Sequence, residues 1–135
     1  MDNAILVKEF REIVKVIKEE LGHVALFMFK AFDSDIDLWN LIVSIRGYDD
    51  MTNKEALKHL INTLNSRVSR EILKKIIRMT VLKTNAPFVA EVNRAFDGSG
   101  DSVKYIHSSV MSGVYIERGL ILESGILPPI EHTTI

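Results

Sequence analysis

Leu6, Phe10, Ile13, Val14, Ile17 and Leu21 recur at spacings of three and four, and predict an amphipathic helix over residues 4–21. Asp2 or Asn3 can cap its start. Gly22 is a natural stop, because glycine accepts left-handed backbone at a helix end. The period then changes. Residues 23–32, His-Val-Ala-Leu-Phe-Met-Phe-Lys-Ala-Phe, are apolar on both alternations, which suits a strand covered on both faces. Asp33-Ser34-Asp35-Ile36-Asp37 has the side chains of a turn. Leu38 to Ile45 resumes as a second strand, and the short connection makes the pair antiparallel.

After the polar break at Gly47-Tyr48-Asp49-Asp50, Thr52 and Glu55 stand at capping-box spacing. The helix they open carries Leu57, Leu60, Ile61, Leu64 and Val68 on its buried face, and continues or restarts at Ser69 to about Lys74. Residues 75–83 read as a third strand. Asn85 and Pro87 mark another helix start, with Phe88, Val89, Val92 and Phe96 along one side. Residues 97–101 are a loop, and 102–111 read as a short helix or an irregular segment. Residues 113–124 form a last strand, with Val114, Ile116, Leu120 and Leu122 as core candidates and Gly119 as a bulge or hairpin break. Pro128 and Pro129 make residues 125–135 an extended tail, expected to pack on its own domain or on a neighbouring chain. The sum is a single α+β domain over residues 1–135: a single-layer mixed sheet of about four strands packed with about three helices.

Composition narrows the function classes. The 135 residues include no cysteine, so disulfides and thiolate metal sites are excluded. A formal charge of −1 gives no global attraction to nucleic acid or anionic membrane. The longest uncharged apolar run, Val24 to Phe29, is far shorter than the roughly 20 residues a bilayer requires. The expected setting is the cytoplasm, with no membrane partner and no cofactor.

Three constellations could carry chemistry. Asp35 and Asp37 are two apart, so in extended chain they project to one side, where two carboxylates can hold a divalent metal against phosphate. The string resembles the Asp-x-Asp element of minimal nucleotidyltransferases, which implies metal-dependent nucleotidyl or phosphoryl transfer. It departs from that family at Phe29-Lys30-Ala31-Phe32, where a Gly-Ser pair would hold phosphate, and Glu117 is the best stand-in for a third carboxylate. A polar turn is the simpler reading. The second constellation is basic: Arg67, Arg70, Lys74, Lys75 and Arg78, followed by Lys83, face only Glu71 in the same stretch. It suits a polyanion or nucleic acid, or a solvated face. The third is the second strand, where Trp39, Asn40 and Ser44 put aromatic and polar groups on a core element and mark a pocket candidate. Among the histidines, Glu55 and His59 lie one helical turn apart, a spacing that fits a surface pair better than a metal site.

Val24-Ala25-Leu26-Phe27, Trp39-Asn40-Leu41-Ile42-Val43-Ser44, Ile77-Arg78-Met79-Thr80-Val81-Leu82 and Gly113-Val114-Tyr115-Ile116-Glu117 together resemble a group of small uncharacterised prokaryotic proteins with a Trp-x-Leu-x-x-Ser strand. The resemblance spans about residues 20–124 and implies a common fold without an assigned activity. Asn40 stands where that group carries aspartate. The leading expectation is a non-catalytic binding or interaction domain acting as a homo-oligomer, most simply a dimer.

Overall fold

The computed structural model describes residues 3–33, 36–96 and 103–125. Helix α1 (Asn3–Leu21) buries Leu6, Phe10, Ile13, Val14 and Ile17 along one stripe. It ends at Gly22, which takes φ +87° while its N–H still donates to the Lys18 carbonyl. Strands β1 (Val24–Asp33) and β2 (Ile36–Ile45) form the expected antiparallel pair, with Phe27 opposite Val43 and Ala31 opposite Trp39. A 3-10 turn at Arg46–Tyr48 follows. Gly47 is required there: a Cβ would lie 2.7 Å from the Leu21 carbonyl oxygen and 2.8 Å from the Leu21 Cβ.

Helix α2 (Asn53–Arg67) opens on the complete capping box, with the Thr52 hydroxyl accepting from Glu55 N–H and the Glu55 carboxylate accepting from Thr52 N–H. The chain restarts at Ser69 as α3 (Arg70–Leu73), where the Ser69 hydroxyl accepts from Ile72 N–H. Strand β3 (Ile76–Val81) returns parallel to β2, so α2 and α3 form the crossover of a strand–helix–strand unit. Helix α4 (Pro87–Ala95), the hairpin strand β4 (Lys104–Met111) and strand β5 (Val114–Ser124) complete the fold. The sheet order is β3-β2-β1-β5-β4, antiparallel everywhere except at β2–β3.

This is an α+β fold with one open mixed sheet and helices on both faces. On the first face, α1 and α2 cover Phe27, Phe29, Trp39, Leu41, Val43, Leu120 and Leu122. Phe10 packs edge-on against Phe29 at 4.8 Å between ring centroids, and Phe29 edge-on against Trp39 at 6.3 Å. Each buried phenylalanine contributes roughly 1.5–3 kcal/mol relative to exposure. On the second face, Val89 and Val92 of α4 cover Leu26, Met28, Ile42, Ile106, Ile116 and Ile121. No helix among the described residues is long and apolar enough to cross a membrane.

The structure corrects four expectations. Residues 104–111 are a strand, so the sheet has five strands and ends in a hairpin. The strand is hard to read because its two buried residues, Ile106 and Met111, are five apart, and Ser108 at φ +46° interrupts the alternation. The short restart α3 makes the helices four. Gly119 breaks nothing. It pairs with both Lys30 and Ile106, and a Cβ would crowd Ile116 Cγ2 at 3.3 Å. Val114 and Ile61 are exposed, at 40% and 41%, and Ala56 joins Leu60 and Leu64 on the buried side of α2. The proline-containing tail, residues 126–135, lies outside the described residues. Just before it, Gly125 N–H donates to the Ala25 carbonyl.

Candidate functional site

Asp37 and Trp39 project to the α1–α2 side of β2, two residues apart on one strand. The indole Nε1–H donates to Asp37 Oδ1 at 2.9 Å, and Lys75 Nζ lies 3.2 Å from Oδ2. Burial pushes the Asp37 carboxyl up, but the hydrogen bonds from Trp39 and Lys75 and the Lys75 charge outweigh it, so the group titrates below its usual range. Arg118 of β5 lies over the indole ring, 5.3 Å from the centroid. The carboxylate is thus committed to holding Trp39 and Lys75. Asp35 lies outside the described residues, and Glu117 is exposed on β5. Among the described residues, no three histidine, aspartate or glutamate side chains converge as metal ligands would.

The basic stretch is divided by the fold. Arg67, Arg70 and Lys74 are exposed around the α2–α3 junction. Glu9 of α1 reaches into that junction, accepting from the Ser69 N–H at 3.0 Å and the Ser69 hydroxyl at 3.2 Å. Lys75 pairs with Asp37, and Lys83 donates to the carbonyls of Asp49 and Met51. Arg78 stands beside Asn40 on the opposite side of the sheet.

Trp39, Asn40 and Ser44 do not line one cavity. Trp39 faces the α1–α2 side, whereas Asn40 and Ser44 share the α4 side with Ile42. Asn40 Oδ1 accepts from the Thr80 hydroxyl at 3.3 Å. Ser44 is fully buried, and its hydroxyl has no partner among the described residues. His59 is likewise engaged: its Nδ1 is 2.9 Å from the buried Tyr48 hydroxyl. Burial, and then the nearby Glu20 charge, push the Tyr48 phenol well up, so it keeps its proton and can donate it to His59.

Two surfaces were not apparent from the sequence. The first is the β4–β5 hairpin, where Tyr105, Val110, Val114 and Tyr115 are 56%, 63%, 40% and 54% exposed. The second is a groove of about 640 Å³ between α1 and the end of β5, lined by Lys8, Arg11, Lys15 and Lys18 together with the carboxylates of Glu12 and Glu123. Helical periodicity finds this groove where a search for charge runs cannot. Lys8, Arg11, Lys15 and Lys18 fall within an arc of roughly 80° on a helix of 3.6 residues per turn, and Glu9, Glu12, Glu19 and Glu20 fall on the next arc. Lys18 is anchored by Glu123 at 2.8 Å, which fixes one end of the groove.

No family model matches the chain, and no curated protein or solved structure compared with it is detectably similar. The functional reading therefore rests on these surfaces.

Proposed function

We propose that this chain is a non-catalytic interaction domain that assembles as a homodimer through the β4–β5 hairpin. The observation that carries the reading is the concentration of exposed apolar groups there. Among the described residues eight large apolar side chains are exposed, and four of them sit on this one hairpin. Strand β4 is also a sheet edge, with backbone donors and acceptors available to another strand. Edge strands are normally guarded by charge or proline. Of the eight residues of β4 only Lys104 carries a formal charge, and none is proline.

A second copy is the partner this edge fits. Antiparallel self-pairing about a two-fold axis sets Lys104 of one copy near the Met111 end of the other, so the two lysines stay apart. Tyr105 and Val110 then approach across the axis, extending the apolar surface of each hairpin. The setting in the cytoplasm and the kinship with the small prokaryotic Trp-x-Leu-x-x-Ser proteins are part of the same reading. They rest on the absent cysteines and the matched strand strings.

Light scattering tests the assembly. The wild-type chain is expected to run as a dimer at micromolar concentration, and Val110→Lys combined with Tyr115→Lys as a folded monomer. Ile77→Lys, at the opposite sheet edge, should leave the dimer intact. A wild-type monomer at high micromolar concentration would end the proposal.

A further inference from the structure

We infer that the open half of the sheet on its α4 side binds single-stranded nucleic acid, with phosphate on Lys30, Asn40 and Arg78 and a base on Phe32. Helix α4 covers this face only in part. It is nine residues long, and its Val89 and Val92 pack over Leu26, Met28 and Ile42. One row further along the strands, Lys30 of β1 stands opposite Asn40 of β2, and Asn40 opposite Arg78 of β3. Their neighbours Phe29, Ala31, Trp39, Leu41 and Met79 all pack on the α1–α2 side, so alternation turns the three to the α4 side. The row consists of donors. The Thr80 hydroxyl donates to Asn40 Oδ1 at 3.3 Å, which leaves the Asn40 amide N–H groups to donate elsewhere. Lys30 is half-buried and Arg78 exposed, and neither forms an ion pair among the described residues. Asp37, on the same strand as Asn40, faces the other way and is held by Trp39 and Lys75. The Cα atoms of Lys30 and Arg78 are two strand spacings apart, roughly 10 Å, so both long side chains can reach the phosphates of one short stretch of strand. Phe32 follows Lys30 by two residues on the same side of β1, about 7 Å along the strand, and is 59% exposed. An exposed ring beside unpaired cations is what sequence-tolerant stacking of bases uses. A small ligand needs a concave site that buries most of its surface. A flexible single strand can lie flat on an open sheet and turn its bases to the ring. A duplex keeps its bases stacked inside and cannot reach Phe32.

Two kinds of contact give two separable signatures. With about two phosphates neutralised, the log–log slope with salt is about −1.4, so a four-fold rise in salt weakens binding about seven-fold. The experiment is fluorescence anisotropy of the full chain with a labelled oligothymidylate at several salt concentrations. Arg78→Gln should weaken binding and bring the slope to about −0.7, and Lys30→Gln/Arg78→Gln should bring it close to zero. Phe32→Ala should weaken binding at least about five-fold and leave the slope as it is, because stacking releases no counterions. Phe32 and Arg78 are exposed, so both single variants should fold, which circular dichroism checks. Lys8→Gln/Lys15→Gln and Arg67→Gln/Lys74→Gln, which remove cations elsewhere on the surface, should bind as the wild type does. Undiminished binding by Arg78→Gln and Phe32→Ala overturns the assignment, as does a wild type that does not bind the oligothymidylate at low salt. Loss confined to the control variants overturns it too. So does a duplex bound more tightly than the single strand, or thymidine monophosphate bound as tightly as the oligomer, which would make the site one for a small ligand. The monomeric hairpin variant should keep its affinity per chain, so failure of the dimer and failure of the sheet face are read separately.

Discussion

Asp37 holds Trp39 by a 2.9 Å hydrogen bond from the indole to a carboxylate oxygen, and the same carboxylate draws in Lys75. The pair sits where the crossover helices return to the sheet, since the backbone N–H of Trp39 donates to the Lys75 carbonyl at 2.7 Å. A turn aspartate has become a clamp between β2 and the start of β3.

This clamp has a pH signature. The folded-state titration of Asp37 lies below its ordinary value of 3.8. Its stabilising effect is therefore fully present above the unfolded value and is lost as pH falls through the folded one. Asp37→Asn should cost about 1 kcal/mol at neutral pH, a modest figure because both partners are partly solvated. The difference from wild type should shrink below about pH 4. Urea unfolding of both proteins at pH 7 and pH 3 measures it, and a pH-independent difference would contradict the clamp.

The two buried serines should respond in opposite ways. Ser44 is buried without a hydrogen-bond partner, whereas Ser124 donates to the Phe96 carbonyl at 3.2 Å. Removing an unsatisfied hydroxyl relieves a desolvation cost, so Ser44→Ala should be neutral or stabilising by up to about 1 kcal/mol. Ser124→Ala should be destabilising by about 1 kcal/mol. Denaturant midpoints of the two single variants are enough, and a destabilised Ser44→Ala would show that the hydroxyl has a partner.

Gly47 should tolerate nothing larger. A methyl group there meets the backbone and Cβ of Leu21, neither of which is the flexible end of a side chain. Gly47→Ala is expected to lower stability by roughly 1–3 kcal/mol by forcing α1 away from the turn. Gly113→Ala, at an open position with φ +80°, should cost only about 1 kcal/mol of backbone strain. Thermal unfolding ranks the two, and an equal loss would remove the steric explanation.

Where the local signal is complete, the fold could be read from the chain. The stripe of α1, the Thr52–Glu55 box and the Ser69 restart each depend on residues within a few positions of one another. Strand β4 could not be read, because Ile106 and Met111 have the wrong separation for a half-buried strand and Ser108 resets the alternation. The basic stretch misleads for a related reason. A run of charge in sequence is a patch only if the backbone keeps one direction, and here it turns from helix to strand and sends Lys75 and Arg78 to opposite sides. The basic wall of α1 shows the converse. Its cations are interleaved with glutamates along the chain and gather on one flank only when wound into a helix, with Glu12 among them and paired with Lys15.

The position of β4 at the rim of an open sheet sets what a dimer paired through it would look like. A two-fold axis normal to the sheet would join the two sheets edge to edge and leave the α1 helices on the same side of the joined surface. Such a dimer would carry one continuous ten-stranded sheet, with both α1 helices over one face and both α4 helices over the other.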